Sequence, residues 1–173
     1  GRFFVSGTAD LSAANGGGTG GDITITATDR VVMEGGSITT ETKNADGGNI
    51  TVNAQQLIYL LNGTISTSVN GGAGNGGNIS IDPVYVVLNN SQIIANANDG
   101  TGGNITIVAE NIMHQKNSTI QASSNFGIDG QIHIVSYNEA AGDGVVDLPA
   151  LFLQFVALQS RCDHLQKLIV SIY

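Results

Sequence analysis

Side chains able to do chemistry are sparse along this chain, and their spacing matches few known sites. Its 173 residues include 14 acids, 3 histidines and 1 cysteine. Cleaving a glycosidic bond takes two carboxyl groups held about 5–9.5 Å apart. Here acids seldom return to one repeat position. Asp82 shares a slot with Asn53, but Thr26 and Val108 complete it, so no ladder of acids forms. His114, His133 and His164 stand in unrelated contexts, without an H-E-x-x-H motif or paired spacing for a metal. Cys162 has no second cysteine to bridge and no visible activating partner. Gly17-Gly18-Thr19-Gly20-Gly21-Asp22 opens like a calcium turn. That motif, however, needs a roughly nine-residue period and repeated Asp, and the later copies here carry Asn. Thr24 and Thr26 would begin an ice-binding array, but Thr51/Asn53, Ser80/Asp82 and Thr106/Val108 break its regularity. The sequence therefore assigns no catalytic, cofactor-binding or metal-ligating residue, and no cofactor is expected.

Composition narrows the partners. The formal net charge is −8, which disfavours nucleic acid, whose phosphates need a positive surface. No basic patch offers itself to an anionic membrane. The apolar run 150–159 is too short for a bilayer, which takes about 20 residues. Hydrophobic residues make up 41% and charged ones 12%, a balance that favours a packed core over disorder. Glycine is abundant at 24 residues, while proline occurs only 2 times.

The elements that would position any site are set by a repeat. A Gly-Gly-Asn/Asp-Ile signature occurs at Gly20–Ile23, Gly47–Ile50, Gly76–Ile79 and Gly102–Ile105, with a weaker copy at Asp129–Ile132. Its isoleucines, at 23, 50, 79, 105 and 132, step by 27, 29, 26 and 27. A second marker, Gly/Ser-x-Ile, places Ile38, Ile65, Ile93 and Ile120 at steps of 27, 28 and 27. Seven residues before each of these lie Val31, Ile58, Val86 and Met113, followed two on by Met33, Leu60, Leu88 and Gln115. Each repeat thus holds three short strands. Alternation such as Ile50-Thr51-Val52 puts one set inward and the other outward. Thr40, Thr67, Ala95 and Ala122 are expected to face inward behind the third-strand isoleucines.

Strands this short cannot bury an apolar face alone. Stacked coils bury it against one another, at about 4.8 Å per layer. The fold class expected is all-β: a right-handed parallel β-helix (solenoid), three short strands per coil of about 27 residues, about five coils, and a C-terminal non-repeat cap. The Gly-Gly pairs are expected to supply positive φ. Asn49, Asn78 and Asn104 are expected to tolerate left-handed geometry and to form side-chain ladders. The insertion Asn70–Asn75 is expected to be a surface loop.

Residues 1–138 form the repeat region, with 1–18 as a partial first coil. Leu11 falls in the third-strand slot and Phe4 in the second-strand slot. An exposed coil end argues for further coils ahead of Gly1 in a longer protein. Residues 139–173 are read as a linker, Glu139–Gly144, then a cap or tail carrying Leu151, Phe152, Phe155, Val156 and Leu158.

The rungs Gly48-Asn49-Ile50-Thr51-Val52 and Gly103-Asn104-Ile105-Thr106-Ile107 resemble those of filamentous-haemagglutinin-like proteins exported by two-partner secretion in Gram-negative bacteria. The segment Val146-Asp147-Leu148-Pro149-Ala150, with Phe152-Leu153 and Arg161-Cys162, is similar to a C-terminal motif of that family. The resemblance covers roughly residues 19–162. After Cys162 the chain departs from the family pattern, with Asp163–Lys167 leading into Leu168-Ile169-Val170. The resemblance implies a secreted or cell-surface β-helix, outer-membrane associated, that acts in adhesion. It also implies an outer-membrane secretion pore as partner during export, with surface glycans or proteins as ligands of the polar faces. The alternative reading is a carbohydrate-active β-helix enzyme of the lyase or hydrolase type. Acids and bases clustered in a groove along the stack would favour it.

Overall fold

The computed structural model describes residues 3–6, 10–12, 18–115 and 117–137. In chain order the strands are β1 (Phe3–Ser6) and β2 (Asp10–Ser12), then β3 (Ile23–Ala27), β4 (Arg30–Glu34) and β5 (Ser37–Thr39). The next coil is β6 (Ile50–Ala54), β7 (Leu57–Leu61) and β8 (Thr64–Ser66). After it come β9 (Ile79–Asp82), β10 (Tyr85–Asn89) and β11 (Gln92–Ile94). Then follow β12 (Ile105–Ala109), β13 (Asn111–His114), β14 (Thr119–Gln121) and finally β15 (Ile132–Ser136). No helix occurs among the described residues.

Every pairing is parallel, and each strand pairs with its equivalents one coil away. The three sheets run β3-β6-β9-β12-β15, β1-β4-β7-β10-β13 and β2-β5-β8-β11-β14. This is a parallel β-solenoid: four complete coils of about 27 residues, flanked by β1 and β2 at one end and β15 at the other. The expected cap and linker at 139–173 lie outside the described residues.

The isoleucine ladder is continuous. Ile23 pairs with Ile50, Ile50 with Ile79, Ile79 with Ile105, and Ile105 with Ile132. In the third sheet Leu11, Ile38, Ile65, Ile93 and Ile120 stack likewise. Ile50, Ile79 and Ile105 are buried, as are Ile38, Ile65 and Ile93. Each such side chain contributes roughly 1.5–3 kcal/mol, and the contributions line one shared core.

Two slots differ from the sequence reading by one residue. Phe3, not Phe4, pairs with Val31, and Phe3 packs against the core. At the other end Val86 pairs with Ile112 rather than Met113, and Leu88 with His114 rather than Gln115. In both coils the link from second to third strand is one residue longer than in the coils between them. Counting back a fixed seven residues therefore landed on the wrong face of the strand.

The glycines also act differently from expectation. Positive φ occurs at Gly35, Gly36 and Gly72, and at Asn62 and Asn90; the Gly-Gly pairs before the first strands do not have it. Those pairs are required by close approach between coils. A Cβ on Gly47 would lie 2.6 Å from the Thr67 carbonyl oxygen and 2.7 Å from the Gly77 nitrogen. One on Gly77 would overlap the Gly48 carbonyl of the preceding coil. Nor do Asn49, Asn78 and Asn104 adopt left-handed backbone.

The inward small residues fall where alternation put them: Thr40, Thr67, Ala95 and Ala122 are all buried. The Thr40 hydroxyl donates to the Gly48 carbonyl oxygen at 2.6 Å, and the Thr67 hydroxyl to that of Gly77 at 2.6 Å. Buried hydroxyls are thereby satisfied, as a dry core demands. The Asn70–Asn75 insertion lies at the surface, with Asn70, Ala73 and Asn75 exposed.

Candidate functional site

Where the first sheet bends into the second, the coils leave a groove of about 500 Å3 running across successive layers. Its floor follows from small residues at one repeat slot: Ala27, Ala54, Pro83 and Ala109. Ala27 pairs with Ala54, and all four are buried. One wall carries the last outward residues of the first strands: Thr26, Asn53, Asp82 and Val108. The other wall is formed by the turn residues Thr28, Gln55, Val84, Glu110 and Tyr137. Small residues at a corner cannot fill the angle between two sheets, so the corner stays concave.

The described lining of the groove is acidic and otherwise uncharged. Asp82 and Glu110 line it and are exposed, and among the described residues no Lys, Arg or His does. Asp82 ends β9 and Glu110 follows β12, so adjacent coils bring the two carboxylates into one concavity from opposite walls.

At the turns, polar side chains are committed to one another in ladders along the stack. Asp22 Oδ1 accepts the Asn49 backbone N–H at 2.7 Å and its Nδ2 at 3.2 Å. Asn49 Oδ1 receives the same pair of bonds from Asn78, at 2.9 and 3.1 Å. Asn78 Oδ1 then accepts the Asn104 N–H at 2.9 Å, and Asn104 Oδ1 the Gln131 N–H at 2.9 Å. A second ladder runs from Asp46 through Asn75 to Thr101, and a third links Asn90 to Asn62. The side chains of Asn53, Gln55, Asp82 and Glu110 bond no other described residue, so their donors and acceptors face solvent.

The residues singled out in the sequence are not brought together. His133 lies exposed on β15, outward as its alternation implied, and His114 is exposed at the end of β13. His164 and Cys162 lie outside the described residues. Asp22, at the end of the calcium-like turn, spends its carboxylate on the Asn49 ladder. Among the described residues no group of three or more His, Cys, Asp or Glu could hold a metal ion. No described helix is long and apolar enough to cross a membrane. Glu110 escaped the sequence reading because a comparison confined to one strand slot cannot see a residue on the facing wall. Its position two residues beyond the slot of Asp82, one coil on, was the available signal. The chain matches no family model, no curated protein and no solved structure.

Proposed function

We propose that this chain belongs to a non-catalytic, secreted or cell-surface solenoid that serves as a structural and adhesive protein, as the filamentous-haemagglutinin resemblance implies. The observation that carries this reading is the division of labour among polar groups. The turn ladders consume their own hydrogen bonds and stiffen the stack, while the side chains of Asn53, Gln55, Asp82 and Glu110 in the corner groove bond no other described residue and stand open to a partner. Such a rod offers many weak polar contacts, which add up through multivalency rather than through one deep pocket. Export through an outer-membrane pore of a Gram-negative bacterium, and surface glycans or proteins as ligands, belong to the same proposal. The test is display of the chain on cells that do not otherwise adhere. Attachment to host, abiotic or bacterial surfaces is expected, and its absence on all three sinks the reading.

One observation favours a second reading, the carbohydrate-active enzyme: Asp82 and Glu110 share a groove. Against its lyase form stands the lack of any described Lys, Arg or His in the groove, whereas a hydrolase would ask only that the two carboxyl groups lie about 5–9.5 Å apart. Release of new reducing ends or unsaturated sugar ends from a polysaccharide panel, abolished by Glu110→Gln, would establish it.

A further inference from the structure

We infer that the corner groove is a binding site for a linear, uncharged polysaccharide lying along the solenoid axis. The inference rests on the adhesive reading and gives that reading a defined site.

Charge selects first. With Asp82 and Glu110 on its walls and no cation among the described lining residues, the groove repels uronic-acid and sulfated chains. Ionised carboxylates only accept hydrogen bonds, so they need a ligand rich in donors. Hydroxyl groups on every unit supply them. Asn53 and Gln55 both donate and accept, and they have no partner among the described residues to give up.

Shape selects next. The walls repeat once per coil, at about 4.8 Å, a step comparable to the length of one sugar ring. The buried floor is apolar and shallow, which suits the flat C–H face of a ring. At one end stands Tyr137, 71% exposed, as an aromatic platform. An extended peptide fits less well. It would bind through backbone pairing, but the strands beside the groove already spend their backbone groups on neighbouring coils.

The test uses the full 173-residue chain. Calorimetric titration with soluble, unbranched neutral gluco- and manno-oligosaccharides is set against polygalacturonate and a sulfated polymer. At least one neutral series is expected to bind, more tightly as its length grows, while the anionic polymers do not. Gln55→Ala removes a donor and acceptor from the wall and Tyr137→Ala removes the platform. Each should weaken binding by about tenfold at an unchanged melting temperature. Tyr59→Ala, on the outward face of β7, should change nothing. Binding of the anionic polymers alone, failure of every neutral chain, or full affinity in both groove variants overturns the inference. If displayed chains carrying both Gln55→Ala and Tyr137→Ala still attach to surfaces as the parent does, the groove assignment falls and the adhesive reading stands. If the parent itself never attaches, the adhesive reading falls.

Discussion

The hydroxyl of Thr67, buried behind the third-strand isoleucines, donates a 2.6 Å hydrogen bond to the carbonyl oxygen of Gly77 in the turn that opens the next coil. The Gly77 N–H in return donates to the Thr67 carbonyl oxygen at 3.1 Å. The pair thus clamps the exit of one coil to the entry of the next. Thr67→Val keeps the volume but deprives a buried carbonyl of its donor. A loss of about 1–3 kcal/mol is expected in urea unfolding. Ala95 fills the same slot one coil on with no hydroxyl, so Ala95→Gly should act through packing and backbone entropy instead.

The Gly-Gly pairs predict a steep contrast among alanine substitutions. Gly77→Ala would drive a Cβ into the Gly48 backbone of the coil below. Backbone cannot step aside there without opening the ladder on both sides, so the variant is expected to lose the cooperative transition altogether. Gly35→Ala, at φ 78 in a turn, carries only the left-handed penalty of about 1–2 kcal/mol. Far-UV circular dichroism during urea unfolding separates the two outcomes, and equal losses would contradict the packing argument.

The asparagine ladder has a direction, and the direction predicts which residues may carry charge. Asp22 begins its ladder and acts only as an acceptor. Asp22→Asn keeps the accepting oxygen, so stability should stay within about 0.5 kcal/mol. Asn78 sits mid-ladder and must donate through Nδ2 to Asn49 Oδ1. Asn78→Asp removes that donor and sets a carboxylate against an oxygen, at a cost of about 1 kcal/mol. Thermal melts of the two variants at neutral pH check the asymmetry.

Position along the stack grades the cost of core truncation. Ile79 is buried between neighbours on both sides, so Ile79→Ala should cost about 2–5 kcal/mol. Ile132 occupies the same column but is 44% exposed, so Ile132→Ala should cost about 1 kcal/mol. Chemical denaturation of each variant measures the difference.

The sequence disclosed the fold because its strongest signal is periodic. Ile23, Ile50, Ile79, Ile105 and Ile132 carry the layer spacing openly, and stacked coils are the simplest way to bury such a column. Register at the two ends was less legible. Val31 and Val86 meet Phe3 and Ile112, because a single inserted residue in a link is invisible when only apolar positions are counted. The glycines were assigned the wrong cause for a related reason. Both positive φ and close approach exclude a Cβ, and only coordinates tell which one Gly47 or Gly77 obeys. The groove was least legible. It arises where Ala27, Ala54, Pro83 and Ala109 fail to fill a corner, and it joins Asp82 to Glu110 from different slots on different coils. Neither fact is a motif.

The ladders leave one further consequence. In each described step of the Asp22 column, the accepting oxygen belongs to the earlier coil and the donating N–H to the later one. The backbone answers in the opposite sense, for the N–H groups of Ile23, Ile50, Ile79 and Ile105 each donate to the carbonyl oxygen of the next coil's turn. Each seam between layers is thus stitched in both directions at one turn, so a coil that slid by a single residue would orphan donors and acceptors together.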